Sequence, residues 1–163
     1  MTAGKVLILM GSASDAETMR AAADVLSGYG IPFEMTVASA HRSPERTRSI
    51  ARGAEKAGFS VIIAGAGAAA HLAGCVAADT VLPVIGVPLD GSPLAGFDAL
   101  LSTVQMPAGV PVATVAVGKA GAQNAGHLAA QILSLSSPKL RAKIRAGRKA
   151  MAVSVEKAAS RLP

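Results

Sequence analysis

The sequence has no tryptophan and few other aromatic residues, with one tyrosine and three phenylalanines among 163 residues. Because 51% of the chain is nevertheless hydrophobic, the core must consist of Ala, Val, Leu, Ile and Met, which suit close packing of helices on a sheet. The length fits one compact domain, which we place at residues 1–137, followed by a terminal segment at 138–163. A flavin carrier could share such a fold, but flavin rings are commonly stacked between aromatic side chains.

The chain also lacks a cysteine pair and a long hydrophobic run. Cys75 is the one cysteine, so no disulfide can form within the chain, as a reducing cytosol would permit. The apolar run Val6–Met10 ends at a glycine and is too short for a signal sequence or a membrane span. We therefore predict a cytoplasmic protein that is neither secreted nor inserted in a membrane.

Excess positive charge is confined to the last segment. The formal net charge is +6, yet residues 1–138 hold eight Lys and Arg against nine Asp and Glu, whereas residues 139–163 hold eight against one. Apolar or small residues recur in that segment at spacings of three and four: Leu140, Ile144, Gly147, Met151, Val155, Ala158 and Leu162. This pattern predicts an amphipathic helix over 138–160. We favour packing on a neighbouring subunit over contact with a membrane surface or a nucleic acid.

Short runs rich in Val and Ile alternate with Ala-rich stretches of helical length. Strands are predicted at 6–10, 33–37, 61–64, 81–87 and 112–117, and helices at 15–29, 44–57, 68–78, 96–105 and 120–135. Ser43 and Pro44 form the clearest helix start, with serine as the N-cap and proline at the first helical position. Five alternations without a hairpin signal predict a parallel sheet covered on both faces, a three-layer α/β/α sandwich.

The loops after the predicted strands are where chemistry is expected, because ligands bind beyond the carboxyl ends of parallel strands. In the first loop (GSASD, 11–15), serine hydroxyls and helix-start amides could hold an anion and Asp15 could accept from sugar hydroxyls, although such residues are also ordinary helix caps. In the second (SAHRSP, 39–44), Arg42 suits a phosphate and His41 suits proton transfer near neutral pH. A surface His-Arg pair without a role is the alternative interpretation.

The third loop (GAGAAAH, 65–71) matches the dinucleotide pattern G-x-G-x-x-A, with Asp90 lying 20 residues after Ala70. It follows the third strand rather than the first, so we interpret Gly67 and its neighbours as a loop that a flat or anionic ligand can approach closely. The fourth loop (86–93) is stiffened by two prolines and could wall the same pocket.

Several other chemistries lack their motifs in this sequence. No hydrolase nucleophile elbow, Walker loop or paired glycosidase carboxylates can be found. His71 and Cys75 have helical i, i+4 spacing, but two ligands are too few for structural zinc, so we expect no metal site. His127 is interpreted as a structural or interface residue of the fifth helix. What remains is a phosphate-handling pocket with one or two histidines.

Taken together and in order, GSASD, SAHRSP, AGAGAAAHLAG, GVP, LLSTVQMPAGVPVATVAVGKAGAQNA and the terminal helix resemble the PurE family of N5-carboxyaminoimidazole ribonucleotide mutases over nearly the whole chain. The resemblance implies a flavodoxin-like fold and an enzyme of purine biosynthesis that needs no metal or organic cofactor. It also implies a homo-octamer with active sites at subunit contacts.

The resemblance assigns roles to individual residues. It implies phosphate and ribose contacts at Ser12, Asp15, Ser39 and Arg42, with Gly67 in the substrate-binding loop. It implies proton transfer by His41, and it places His71 against the reacting carboxylate. In the implied mechanism the substrate loses its N-linked carboxyl group as CO2 while His41 supplies a proton. C4 then attacks the trapped CO2, and His41 removes the C4 proton.

A second branch of the family carboxylates aminoimidazole ribonucleotide directly with CO2. Arg42 and the His71 loop resemble the mutase branch (class I), so we favour the mutase. Three residues depart from the mutase pattern: Ala68 replaces a glycine, Ala73 a proline and Cys75 a methionine. An added methyl group at Ala68 and a looser loop at Ala73 would be expected to alter substrate affinity or CO2 retention.

Overall fold

A computed structural model describes residues 4–162 of the chain. Its strands are β1 (Lys5–Met10), β2 (Phe33–Val37), β3 (Phe59–Ala66), β4 (Val84–Pro88) and β5 (Ala113–Thr114). Its helices are α1 (Ala16–Tyr29), α2 (Pro44–Gly53), α3 (Leu72–Ala78), α4 (Phe97–Val104), α5 (Gly118–Ser134) and α6 (Pro138–Ala159), with a 3-10 turn at Ala13–Asp15 before α1. The predicted alternation of strands and helices is confirmed.

Within residues 4–162, the five strands form one parallel sheet in the order β2-β1-β3-β4-β5. This is the flavodoxin-like order, in which the chain first builds outward from β1 to β2 and then continues on the other side of β1. The loops after β1 and β3 therefore leave the sheet in different directions. The crevice that opens between them is where such folds bind ligands.

The sheet is covered on both faces, as expected for its nearly continuous apolar strands. In β1, Val6 and Ile8 belong to the core cluster formed with α1, α5 and α6, whereas Leu7 and Leu9 belong to the cluster formed with α2 and α3. All four side chains are buried. The three-layer α/β/α sandwich predicted from the sequence is thus confirmed, with its core in two layers.

Several element boundaries differ from those predicted, and three of the differences have a clear physical reason. The helix expected from residue 68 begins at Leu72, because Ala68 has a φ of 52° in the left-handed region, which a right-handed helix cannot contain. The helix expected to reach residue 57 ends at Gly53, and the chain turns into β3 through Gly58 at a φ of 84°. The last strand has two paired residues where 112–117 was expected. Pro111 has no N–H to extend the ladder before it, and beyond it the chain soon enters α5, with Val117 as N-cap and Gly118 at a φ of 70°.

The predicted amphipathic terminal helix is present as α6, which packs on the body through its first half. Leu140 and Ile144 are buried in the cluster that includes α1 and α5. Farther along, Met151, Val155 and Leu162 are 57%, 69% and 74% exposed. The expected contact of this segment with a neighbouring subunit stays a prediction. Among residues 4–162, no helix combines the length and apolar character needed to cross a membrane.

Candidate active site

A cleft of about 510 Å³ lies at the carboxyl ends of the strands. It is formed by the loops that follow β1, β2, β3 and β4, as expected for a parallel sheet. Every residue selected from the sequence as a site residue lines it: Ser12, Asp15, Ser39, His41, Arg42, Gly67 and His71. The structure therefore brings together seven residues that are spread over three loops of the chain.

The loop after β1 is a tight turn held by its own side chains. The Asp15 carboxylate accepts from the backbone N–H of Ser12 at 2.9 Å, and the Ser12 hydroxyl accepts from the Ser14 backbone and hydroxyl at 3.4 and 2.9 Å. Ser12 and Asp15 are therefore helix caps, which was one of the two interpretations of this motif, while they also face the cleft. The two roles are compatible because each side chain has further hydrogen-bonding capacity.

Asp15 is the residue of the cleft whose ionisation the protein alters most clearly. Partial burial removes water from its carboxylate and raises the pKa above the ordinary value of 3.8. The hydrogen bonds from Ser12 and Ser14 and the positive charge of Arg42 oppose this rise without cancelling it. A ligand hydroxyl that donates to Asp15 would therefore stabilise a charge that the protein solvates poorly.

Two serines, Ser39 and Ser43, shape the loop after β2. From the sequence, Ser43 was expected to act as a helix N-cap. Ser43 stands at the N-cap position of α2, but its hydroxyl does not cap the helix. Instead it donates to the Ser39 carbonyl at 3.2 Å and accepts from the Ser39 N–H at 3.1 Å. The predicted helix start, with Ser43 as N-cap residue and Pro44 at the first helical position, is confirmed. The Ser43 side chain makes no capping hydrogen bond, because its hydroxyl is engaged in closing the loop that carries His41 and Arg42.

Arg42 lies across the ends of two strands. Its Nη2 donates to the Gly11 carbonyl at 3.0 Å, and its Nε and backbone N–H approach the Ser39 hydroxyl at 3.4 and 3.2 Å. These contacts hold the guanidinium group beside the first turn of the β1 loop, where helix-start amides are also available. A planar guanidinium next to such amides suits a phosphate group.

His41 and His71 meet directly in the cleft. His41 Nε2 lies 2.8 Å from His71 Nδ1, and the two rings are nearly perpendicular at 88°. His41 comes from the loop after β2 and His71 from the loop after β3, so the contact is made across the end of β1. One of the two nitrogens must donate and the other accept. Both side chains are exposed, so a ligand in the cleft can reach them.

The loop after β3 has one position where glycine keeps the cleft open and one where alanine is strained. A Cβ atom at Gly67 would lie 3.5 Å from the Leu89 carbonyl oxygen, an ordinary contact, so the protein itself would tolerate a side chain there. Ala68 has a φ of 52°, a conformation that glycine adopts without strain and alanine does not. The departure from the glycine of the family pattern thus falls at a left-handed position.

The structure also places residues in the cleft that the sequence did not assign to it. Thr18, Leu72, Leu89, Asp90 and Gly91 contribute to its lining. Asp90 was noted for its spacing from the glycine loop, and its own loop was expected to wall a pocket, but no binding role was predicted for it. Across residues 4–162, His, Cys, Asp and Glu side chains do not form any group of three that could hold a metal ion.

Comparison with known proteins assigns the chain to a family. The family model described as AIR carboxylase matches residues 5–154. The chain belongs to the AIR carboxylase family. This membership confirms the resemblance to PurE proteins that was inferred from the ordered motifs.

Members of the AIR carboxylase family with curated names are similar over most of the chain. The chain is 55% identical over 150 residues to an N5-carboxyaminoimidazole ribonucleotide mutase of Brucella melitensis, covering 92% of this chain and 93% of that protein. It is 51% identical over 146 residues to the mutase of Escherichia coli, covering 90% and 86% respectively. The crystal structure of Treponema denticola PurE has a TM-score of 0.86 at 28% identity and covers 97% of this chain and 98% of its own.

Proposed function

We propose that this protein converts N5-carboxyaminoimidazole ribonucleotide to 4-carboxyaminoimidazole ribonucleotide, as an intramolecular carboxyl transfer in purine biosynthesis. The observation that carries the proposal is the meeting of His41 and His71 in a cleft that Arg42 also lines. Membership of the AIR carboxylase family, and the mutase names of relatives 51–60% identical to the chain, support the same reaction.

The substrate binds with its phosphate at the β1 and β2 end of the cleft. Arg42 supplies a guanidinium group there, and the hydroxyls of Ser12 and Ser39 supply further contacts. The ribose hydroxyls donate to Asp15, whose carboxylate faces the same space. The aminoimidazole ring then lies toward the loop after β3, where Gly67 leaves room for a flat group.

His41 acts first as an acid and then as a base. The bond between the substrate nitrogen and its carboxyl carbon breaks, CO2 is released, and the nitrogen takes a proton from His41. C4 of the ring attacks the CO2 while both remain in the cleft, and His41 then removes the C4 proton to restore the aromatic ring. Retention of CO2 matters because two fragments held in contact react as one molecule. His71, adjacent to His41, contacts the carboxylate that is transferred.

The assembly belongs to the same proposal. His41 and His71 are exposed in the single chain, and the second half of α6 leaves Met151 and Val155 exposed. A homo-octamer in which copies cover the cleft and receive the end of α6 would shield both. The reaction requires no metal or organic cofactor, since the acid and base are supplied by a histidine, and a cytoplasmic location fits a pathway of soluble nucleotides.

The proposal is tested by following the formation of 4-carboxyaminoimidazole ribonucleotide at low CO2. Purified protein is given either the N5-carboxylated substrate or aminoimidazole ribonucleotide with bicarbonate. We expect a strong preference for the N5-carboxylated compound. Equal or faster reaction of the uncarboxylated compound would show a direct carboxylase instead, and absence of both reactions would refute the proposal.

The same assay tests the assignment of the histidines, and the chain offers a matched control. His41→Asn is expected to reduce turnover by about 10²- to 10⁴-fold, the usual contribution of a general acid–base group. His127→Asn changes the third histidine, which is bonded to Tyr29 away from the cleft, and should leave turnover near normal. Near-normal turnover of His41→Asn together with loss of turnover in His71→Asn would show that His71, rather than His41, transfers the proton.

A further inference from the structure

The loop after β4 brings a second acidic residue, Asp90, into the lining of the cleft. Leu89, immediately before it, is buried and donates its N–H to the Ala66 carbonyl at 2.9 Å. This bond fixes the β4 loop to the end of β3, next to the glycine-rich loop that carries His71. Asp90 therefore lines the same cleft as the two histidines, and the proposed function gives it no task.

Two glycines leave room for Asp90 at this place. A Cβ atom at Gly96 would lie 3.1 Å from the Asp90 Cα, and one at Gly118 would lie 2.9 Å from Asp90 Oδ2. Both glycines have positive φ, 83° and 70°. Gly118 is the first residue of α5, and the N-cap Val117 offers no side-chain hydrogen bond. A carboxylate beside this helix start is favoured by the helix dipole, so its position is defined although it is exposed.

The Asp90 carboxylate has hydrogen-bonding capacity that the protein leaves unused. The carboxylates that accept hydrogen bonds or form ion pairs within residues 4–162 are those of Asp15, Glu34, Glu45, Asp79 and Asp98. Asp90 is not among them. Asp90 thus lines the cleft with a carboxylate that has no hydrogen-bond partner in the described part of the chain.

The order of the strands places Asp90 at the opposite end of the cleft from Arg42. Along the sheet the loops follow the sequence β2, β1, β3, β4, so that Arg42 comes first and Asp90 last. A ribonucleotide whose phosphate lies at Arg42 must extend its ring toward β3 and β4. The hydrogen-bond donor that an aminoimidazole ring offers is its exocyclic amino group, on the carbon next to the ribosylated nitrogen.

We propose that Asp90 accepts a hydrogen bond from the exocyclic amino group of the aminoimidazole ring and thereby determines specificity for it. This inference rests on the proposed function. A carboxylate is well suited to the task because it can only accept when ionised, and hydrogen bonds to charged groups are stronger than those between neutral groups.

The placement also bears on the direction of carboxyl transfer. In the N5-carboxylated substrate the same nitrogen carries an anionic carboxyl group, which the Asp90 carboxylate repels. When the N–C bond breaks, CO2 leaves without charge, the electron pair remains on the nitrogen, and a proton from His41 completes the amino group. The nitrogen then has two N–H bonds, and Asp90 binds it better than before. Asp90 therefore favours the state in which the carboxyl group has left the nitrogen.

Ligand binding to substituted proteins tests this assignment. We would measure by calorimetry the dissociation constants of aminoimidazole ribonucleotide and of the analogue with hydrogen in place of the amino group. Asp90→Asn, which has nearly the same shape, should weaken the binding of aminoimidazole ribonucleotide about tenfold, as expected for loss of a charged hydrogen bond. Asp90→Ala should weaken it more. Neither variant should weaken the binding of the analogue that lacks the amino group.

The control variant is Asp24→Asn, which makes the same charge change on the exposed face of α1 outside the cleft. It should alter neither dissociation constant. Equal weakening of both ligands by Asp90→Asn would show a role in holding the loop rather than the amino group, and unchanged binding of both would show no contact. Either result overturns the assignment. These dissociation constants are measured without turnover. If Asp90 binds the amino group but the protein does not convert the N5-carboxylated compound, the Asp90 assignment stands and the proposed function is refuted.

Discussion

Asp15 is at once a helix cap, a wall of the cleft and a carboxylate with a perturbed ionisation. Its Oδ2 accepts from the Ser12 N–H at 2.9 Å, so the side chain is held in place before any ligand arrives. Burial raises its pKa, which means that the folded protein keeps the charged form of this carboxyl group at a cost in free energy. The residue is thus arranged for its ligand at some expense to the stability of the protein without ligand.

The raised pKa of Asp15 predicts how stability changes with pH. Between the ordinary value of 3.8 and the raised pKa, the folded state binds more protons at this group than the unfolded state does. Its contribution to stability therefore increases as the pH falls through the raised pKa, and it is unfavourable at neutral pH. Asp15→Asn should flatten this part of the pH profile of unfolding by urea and should not lower stability at pH 7.

Asn can still accept the hydrogen bond from Ser12, so the cap survives the substitution. The same variant should bind the ribonucleotide less tightly, because the negative acceptor for its hydroxyls is gone. A marked loss of stability at pH 7 would contradict the interpretation and would show that the charge of Asp15 stabilises the empty protein.

At the level of elements, the close approach of α1 and α5 defines one side of the sandwich. Gly126 of α5 lies against the backbone of α1, and a Cβ atom there would be 2.9 Å from both the Ala22 carbonyl oxygen and Val25 Cβ. Both contacts involve atoms that cannot move without shifting the helix. Small residues at this crossing therefore determine the distance between the two helices.

This geometry predicts opposite effects on stability for two glycine-to-alanine substitutions. Gly126→Ala should lower the free energy of unfolding by about 1–3 kcal/mol, because the methyl group overfills a packed contact. Gly28→Ala in α1 is the matched control, since no atom lies within 4 Å of the added Cβ. It should raise stability by about 0.5–1 kcal/mol through helix propensity. Urea denaturation measures both, and a neutral Gly126→Ala would mean that the helices separate at little cost.

Much of the fold could be predicted because its signals are local. The buried strands are continuous apolar runs, as in β1 and β3, and their alternation with helices determines the class of the sheet. The boundaries that were missed depend on single backbone conformations, such as the left-handed Ala68, that a run of alanines does not reveal. The exchange of partners at Ser43 was missed because the hydroxyl has two possible backbone partners, and tertiary structure selects between them.

The site residues could be selected for a similar reason. Parallel strands end at one edge, so the loops carrying Asp15, Arg42 and His71 had to come together. Two features required the folded chain: the contact between the two histidines, which are 30 residues apart, and the position of Asp90 against Gly118. Neither pair has a sequence spacing that indicates proximity.

At the scale of the whole molecule, charge and apolar surface are both concentrated at the end of the chain. Residues 139–163 hold eight Lys and Arg and one acidic residue. The second half of α6 is exposed along its whole length, with Met151 and Val155 one helical turn apart on the same face. An apolar stripe on an otherwise charged helix is the arrangement expected of a segment that packs on another copy.

We predict that this stripe, rather than the charge, holds the proposed assembly together. The double variant Met151→Ser with Val155→Ser should lower the mass measured by light scattering, because the buried apolar surface is lost. Lys149→Ser with Glu156→Ser is the control, since it changes the opposite face of the helix and leaves the net charge unaltered. An unchanged mass in the first variant would refute the proposed role of α6.

The bond between Tyr29 and His127 has a practical consequence for experiments in solution. Tyr29 is the one tyrosine of a chain without tryptophan, its hydroxyl lies 3.0 Å from His127 Nδ1, and a Cβ atom on Gly147 of α6 would lie 3.8 Å from it. Nearly all ultraviolet fluorescence of the protein therefore originates where α1, α5 and α6 meet. Emission from this single natural probe reports on whether α6 is seated, without any label, and the weak absorbance of the protein leaves the near-ultraviolet range clear for following the imidazole ring of a ligand.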